Sequence, residues 1–243
     1  MTSFGPVAPY YDELMAAVPY RMWVSYYLLL LSAQNIKPVD ILDVACGTGT
    51  MAEMLQDEGF HVEGVDLSPG MIEVARKKAL QQGRDLRFEV GDAATFDMGR
   101  TYNAVYSFFD SLNNIIDEDH FRAALINIGR HVESGGSFIF DLNTSYAFEA
   151  EMFDQEDMKK KTELKYKWKG EYDPYTAIIT VHMRFWRHGK EFEEVHQQRA
   201  YAHEEVLEWL QEAGFHKIRA YHSYTLNPPR YRSDRIHYTA IKR

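Results

Sequence analysis

Four aspartates recur at comparable places along the chain, and their neighbours fix the chemistry open to them. Asp43 leads into Val-Ala-Cys-Gly-Thr-Gly-Thr-Met-Ala52, Asp66 into Leu-Ser-Pro69, Asp92 into Ala93, and Asp110 into Ser-Leu-Asn-Asn114. Gly47 and Gly49 let the backbone turn sharply and approach a ligand, and a helix beginning just after them would aim its first N–H groups at that ligand. Gly47, Gly49 and Ala52 alone also fit a dinucleotide-binding turn, so the glycines do not choose a ligand. The carboxylates do. Four acids around one crevice would repel a pyrophosphate, since like charges a few ångströms apart cost about 1 kcal/mol in water and several at lower dielectric. Asp66 by itself would suit NAD by taking ribose hydroxyls, but Asp43, four residues before the first glycine, would not. A ligand with a sulfonium, an ammonium and a ribose but no phosphate matches this layout of charge.

Such residues need a scaffold that gathers strand ends. From Pro38 onward the pattern predicts strands over Val39–Val44, Val62–Asp66, Leu86–Val90, Tyr102–Ser107 and Ser137–Leu142. Helices are expected between them over Thr50–Glu58, Pro69–Gln82 and about Asp117–His131. This is the βαβ rhythm of a parallel sheet, whose strands share one ligand-binding crevice at their carboxyl ends. Ser68 reads as a helix cap with Pro69 in the first turn; Asp117, Glu118 and Asp119 suit a positive helix end, and Gly135 and Gly136 read as that helix's stop. After Asn143 polar and apolar residues alternate over Lys165–Tyr172, Thr176–Arg187 and Glu191–Tyr201, which read as antiparallel hairpins. A helix over Glu204–Ala213 stopped by Gly214, then strands over Phe215–Tyr224 and Ile236–Lys242, resume the first pattern. The expected fold is α/β: a Rossmann-like, mostly parallel, seven-stranded sheet with helices on both faces, from residues 1–144 and 202–243. Residues 1–35 would form a helical arm and 145–201 an inserted antiparallel β lid.

Composition narrows the setting. A chain of 243 residues with 45% hydrophobic and 26% charged side chains can bury a core and is not a disordered polymer. A net charge of −9 argues against a nucleic-acid partner, which needs clustered Lys and Arg. A single cysteine, Cys46, excludes an internal disulfide and a Cys-rich metal site, and the ten histidines form no compact ligand motif, so no metal is expected. The first twenty residues hold no Lys or Arg, and the longest apolar run, Val24–Ala33, is too short to span a bilayer. The expectation is a cytoplasmic protein with no membrane partner, monomeric or homodimeric.

Ile41-Leu-Asp-Val-Ala-Cys-Gly-Thr-Gly-Thr50, Gly64-Val-Asp-Leu-Ser-Pro69, Gly91-Asp-Ala93 and Val132-Glu-Ser-Gly-Gly-Ser-Phe-Ile-Phe-Asp-Leu142 resemble the successive motifs of class I S-adenosylmethionine-dependent methyltransferases. The resemblance spans Val39–Leu142, and the last two strands agree with the antiparallel hairpin of that fold. It implies S-adenosyl-L-methionine as cofactor, with Gly47 and Gly49 facing its methionine moiety, Ala45 and Cys46 in the same turn, and Asp43 near its ammonium. It also implies Asp66 on both ribose hydroxyls, Leu67 and Met71 against the adenine, Asp92 accepting from the adenine amino group, and a backbone contact from Ala93. An aromatic arm folds over the cofactor in similar enzymes, which makes Tyr11, Tyr20 and Trp23 the lid candidates; aromatic faces favour sulfonium and ammonium cations.

Methyl transfer from a sulfonium is an in-line displacement that chiefly needs positioning and dryness, so catalytic residues leave a faint signature. The loop Ser107–Asn114 would run beside the transferred methyl. It lacks the Asn- or Asp-Pro-Pro-aromatic motif of nucleic-acid adenine and protein glutamine methyltransferases, and is more similar to that of bacterial small-molecule enzymes, including aminosugar and glycine N-methyltransferase relatives. Asp110 would orient an amine or accept a proton, Phe108 and Phe109 would wall the methyl site, and Asn113 stands where some aminosugar enzymes carry a histidine. Asp110 and Asn113 are the candidate catalytic residues. His182, Arg184, His196 and Arg199 are possible acceptor contacts from the lid, as are Arg230, Tyr231 and Arg232 near the end. Lys159, Lys160, Lys161, Lys165, Lys167 and Lys169, interleaved with Tyr166 and Trp168, either bind RNA or form an ordinary strand with lysines in water. The expected activity is methyl transfer to an oxygen or nitrogen of a small-molecule acceptor. The alternatives are a tRNA-modifying methyltransferase that uses the lysine stripe and a non-catalytic cofactor-binding partner protein.

Overall fold

Alternating short apolar runs and amphipathic helices fold here by putting strand ends together and helices outside. The computed structural model describes residues 5, 7–159 and 161–243. After α1 (Tyr11–Leu14) and α2 (Tyr20–Ala33), the chain runs through β1 (Asp40–Val44), α3 (Thr50–Asp57), β2 (His61–Asp66), α4 (Pro69–Gln81), β3 (Arg87–Val90), β4 (Tyr102–Ser107), α5 (Glu118–His131) and β5 (Val132–Asn143). Then come α6 (Ser145–Glu149), β6 (Gln155–Asp157), β7 (Lys165–Asp173), β8 (Ile178–Arg187), β9 (Lys190–Arg199), α7 (His203–Glu212), β10 (Phe215–His222) and β11 (Arg235–Lys242).

Seven strands form one sheet in the order β10-β11-β5-β4-β1-β2-β3, in which β11 alone runs antiparallel to its neighbours, β10 and β5. Strand alternation feeds two cores. Leu42, Val44, Val105 and Phe138 pack against Phe121, Leu125 and Ile128 of α5 and Val206 and Leu210 of α7. Ile41, Ala104 and Ile139 face the other way, against Tyr27 and Leu30 of α2, Leu55 of α3 and Ala75 of α4. Each large apolar side chain so buried contributes about 1.5–3 kcal/mol. Helix starts follow the expected caps: the Ser68 hydroxyl accepts from Met71 N at 3.4 Å, and the Asp117 carboxylate from His120 N at 2.8 Å.

Strands β6–β9 form a separate antiparallel sheet. Its register places Trp168, Met183 and Glu194 in one cross-strand row, Gly170, Val181 and His196 in the next, and Tyr172, Ile179 and Gln198 in a third. Val181, Met183 and Phe185 build a third core with Val7, Phe148 and Leu164, roofing the carboxyl ends of the main sheet.

The reading of Gly135 and Gly136 is corrected. They lie within β5, which begins at Val132 directly after α5. A register shift between Tyr102 and Ala104 makes room for the irregularity, and a Cβ on Gly136 would come within 2.8 Å of the Asn103 carbonyl. The short α6 and β6 were not expected; neither is long enough to show a period. Among the described residues no helix is long and apolar enough to cross a membrane.

His237 of β11 is fully buried among the rings of Tyr26, Phe108 and Tyr224. Burial, with help from the Arg235 charge, lowers its pKa from 6.5 to about 3. The unfolded state therefore binds the extra proton between those values, and stability drains away as pH falls through the window. His237→Phe should flatten this loss by up to about 1.4 kcal/mol per pH unit, measured as urea unfolding midpoints of variant and wild type from pH 7 down to 4.

Candidate active site

The glycine turn leaves β1 at Val44 and enters α3 at Thr50. Ala45, Gly47 and Gly49 all have positive φ, at 61°, 55° and 78°. At Gly49 a side chain would be doubly excluded, because its Cβ would also lie 2.6 Å from the Phe88 ring. The Asp66 carboxylate fastens the turn to the end of β2: Oδ2 accepts from Gly47 N and Oδ1 from Ser68 N, both at 2.8 Å. Burial raises the Asp66 pKa, while these two N–H donors oppose the rise. Two donors leave a carboxylate with lone pairs to spare.

Two cavities flank this turn. The first, about 340 Å³, is walled by Val44, Val65, Leu67, Ala93, Leu112 and Ile115, with Asp66, Asp92 and His120 as its polar groups. The second, about 730 Å³, lies between the turn and the four-stranded sheet and includes Tyr11, Trp23, Gly47, Met71, Phe109 and Asp110. They share Ala45, Asp66, Ser111 and Asn114. A recess of about 40 Å³ beside the turn holds Tyr11, Tyr20, Asp43, Cys46 and Phe108. Asp43 is buried there and accepts from the Tyr106 hydroxyl at 2.7 Å; burial raises its pKa against that hydrogen bond. The four aspartates thus surround one connected region, with Asp43 beside the turn and the other three along the two larger cavities.

The loop after β4 differs from expectation at two residues. Phe108 continues the strand's alternation, so it joins Tyr106 in the core, 5.7 Å between ring centres, rather than facing the large cavity. Phe109, at φ 65°, turns outward and stacks on Trp23 at 4.2 Å. Asn113 is corrected more sharply: it is fully buried, and its amide is spent on backbone. Its Oδ1 accepts from Asn143 N at 2.9 Å, and its Nδ2 donates to the carbonyls of Asn143 at 3.1 Å and Arg199 at 2.8 Å. It fastens the loop to β5 and β9 and does not reach an acceptor.

Asp110 does line the large cavity. Arg235 Nη2 donates to its Oδ1 at 2.7 Å and Gln198 Nε2 to its Oδ2 at 2.6 Å. The same guanidinium pairs with Asp141, whose carboxylate also accepts from Asp110 N at 3.0 Å. Burial lifts the pKa of both carboxyls, opposed by Arg235, and the two acids keep Arg235 charged well above its ordinary range despite its own burial.

Among the expected lid contacts, His196 reaches the cavity, its Nε2 2.6 Å from Glu194, whose other oxygen accepts from Val7 N at 3.0 Å. Arg199 instead donates to the Ile116 carbonyl and Glu118. His182 and Arg184 sit on the outer face of β8, because alternation from Val181 and Met183 turns them to solvent. Arg230, Tyr231 and Arg232 are exposed. Tyr166 and Trp168 point inward, while Lys167 pairs with Glu156 and Lys169 with Asp154. Lys160 lies outside the described residues. The arm is clamped from both sides: Asp12 pairs with Lys78 at 2.8 Å and Glu13 with Arg187 at 2.9 Å.

Residues missed by the sequence are Arg235, Gln198, Glu194 and His120. His120 is bonded through Nε2 to both Asp92 oxygens, at 2.9 and 3.1 Å. It sits in the acid-rich start of α5, where nothing marks it as facing β3. Arg235 was hidden by its neighbours, since only strand register separates it from the solvated arginines before it.

The donor set fits S-adenosylmethionine. An apolar slot ending in a bonded carboxylate suits an adenine, Asp66 keeps acceptor capacity for ribose hydroxyls, and the cation bonded to the turn, Lys78 on the Thr48 carbonyl at 3.2 Å, is paired with Asp12 at 2.8 Å. With that geometry in place, the comparisons assign the class. A methyltransferase-domain family model matches residues 41–136, from β1 into β5. The chain belongs to the S-adenosylmethionine-dependent methyltransferases. YqeM of Bacillus subtilis, which carries the name of a methyltransferase, is 30% identical over 248 residues, covering 97% of this chain and 95% of its own. An S-adenosylmethionine-dependent methyltransferase from Clostridium acetobutylicum superposes with a TM-score of 0.85 at 26% identity over 98% of both chains. A dTDP-3-amino-3,6-dideoxy-alpha-D-glucopyranose N,N-dimethyltransferase from Streptomyces fradiae is 32% identical over 139 residues, 56% of this chain and 53% of its own.

Two outcomes are expected. Asp66→Asn should weaken binding of S-adenosylhomocysteine at least about tenfold in calorimetry, since a charge-assisted hydrogen bond is worth about 1.5–3 kcal/mol. Asn113→Ala should instead cost about 2–4 kcal/mol of folding stability in urea by stranding three buried backbone groups, with S-adenosylhomocysteine binding retained in the folded fraction.

Proposed function

We propose that the protein methylates an oxygen or nitrogen of a small molecule held between the glycine turn and the four-stranded sheet. The observation that carries this reading is the shared wall of the two cavities: Ala45, Asp66, Ser111 and Asn114 belong to both, so a cofactor seated in the first meets an acceptor in the second. A chamber of about 730 Å³ is of small-molecule size. The Streptomyces fradiae relative, named for an amino-sugar dimethylation, supports nitrogen as one of the two acceptor atoms.

S-adenosylmethionine supplies a methyl group already activated on a sulfonium. The protein's own part is to orient and to exclude water. Asp66 and Asp92 would hold the nucleoside end and Asp43 the ammonium. Tyr11 and Trp23 would close over the site from the arm. Asp110, held at both oxygens by Arg235 and Gln198, would accept the hydrogen bond of the acceptor's N–H or O–H and then its proton, as the acceptor's lone pair forms the new bond to carbon and sulfur keeps the old pair. A carboxyl whose pKa burial has raised is a better proton acceptor near neutrality than an ordinary one.

Incubation with methyl-labelled S-adenosylmethionine and a bacterial metabolite extract, followed by mass spectrometry, should yield a labelled small molecule; label transferred only to RNA would overturn the reading. With that product in hand, Asp110→Asn should cut kcat about 100-fold, in line with loss of a general base. The wild-type rate should fall as pH drops through the raised Asp110 pKa, because only the ionised form accepts a proton, and the variant should lose that acidic limb.

A further inference from the structure

The face that the four-stranded sheet turns to the large cavity is divided by strand into two unlike stripes. Inward side chains of β9 are polar in succession, Glu194, His196 and Gln198, and Gln198 continues into Asp110 and Arg235. Their β8 partners in the same rows are Met183, Val181 and Ile179, all buried. Beyond them the Trp168 ring from β7 extends the apolar side. Met15 of the arm and Met152 face the same space. Along the β9 stripe an occupant finds carboxylate, imidazole and amide groups; along the β8 and β7 stripe beside it, a thioether, branched aliphatics and a ring.

We propose that the acceptor is an amphiphile: an apolar body lies on Val181, Met183 and Trp168, and the atom to be methylated sits at the polar end facing β9 and Asp110. This rests on the small-molecule methyltransferase reading above. A molecule hydroxylated all round would bury hydroxyls against the β8 side chains with nothing to pair them, which is unfavourable. An apolar body gains there instead, because its surface leaves water. Met15, Met152 and Met183 are unbranched and polarizable, which lets this wall follow the outline of a bulky guest.

The test partitions a bacterial metabolite extract between butanol and water and offers each half to the protein with methyl-labelled S-adenosylmethionine. Label is expected in the butanol half. Val181→Thr keeps the side-chain shape and adds a hydroxyl to the apolar wall; it should raise half-saturation for the butanol-soluble acceptor about tenfold, a loss of about 1.4 kcal/mol. Met183→Gln should act the same way, and S-adenosylhomocysteine affinity, read by calorimetry, reports that either variant is folded. Label confined to the aqueous half, or unchanged half-saturation in both folded variants, overturns the amphiphile while leaving the methyltransferase reading in place. Label in neither half, with the cofactor product still bound, overturns the small-molecule reading itself and this inference with it.

Discussion

The guanidinium of Arg235 is the interaction on which the acceptor side of this protein depends. A buried arginine is costly unless paired, and removing one partner of such a pair typically costs about 3–5 kcal/mol because the remaining charge is stranded. Here Asp141 and Asp110 hold it, and each comes from a different place: β5, the loop after β4, and β11 converge on one charge. Gln198 then ties the second sheet to the same carboxylate. The second sheet is fastened over the carboxyl ends of the first by a few strong, dry contacts as well as by apolar burial, and the chamber between them exists because they are made.

The cofactor side is organised on a different principle. Asp66 spends two of its lone pairs on backbone N–H groups, so the carboxylate that would meet the ribose also fixes the turn that would meet the methionine moiety. Binding groups that brace one another in this way lose little freedom when a ligand arrives, which is the sense in which such a site is preorganised. Asp92 is braced likewise by Ala94 N and by His120.

How far the residues disclosed this in advance follows from the range of each interaction. The main sheet was legible because β1, β2 and β4 each carry a short run rich in apolar residues with a polar one at or next to its end, a local signal; β4 was read to the residue. The glycine turn and Asp66 were legible for the same reason. Asn113 was misread because its three partners lie at Asn143 and Arg199, 30 and 86 residues away, and no pattern around it declares them. Phe108 and Phe109 were indistinguishable until a positive φ at Phe109 broke the alternation. Arg235 was passed over in favour of Arg230 and Arg232, since whether an arginine begins a strand or ends a loop depends on the register of β11 against β5. The inner face of the lid, by contrast, was present in the alternation of β8, but the ligand it faces could be described only once β9 was set beside it.

The arm has a consequence for the large cavity. It is pinned to the nucleotide-side helix through Asp12 and Lys78 and to the roof through Glu13 and Arg187, with the Arg187 guanidinium 4.4 Å from the Tyr10 ring centre. These ties are partly exposed ion pairs, the kind that dissolved electrolyte weakens most readily. Tyr11, Leu14, Met15 and Trp23 of the same segment line the large cavity, so two salt-sensitive ties hold in place part of the wall around the proposed acceptor chamber.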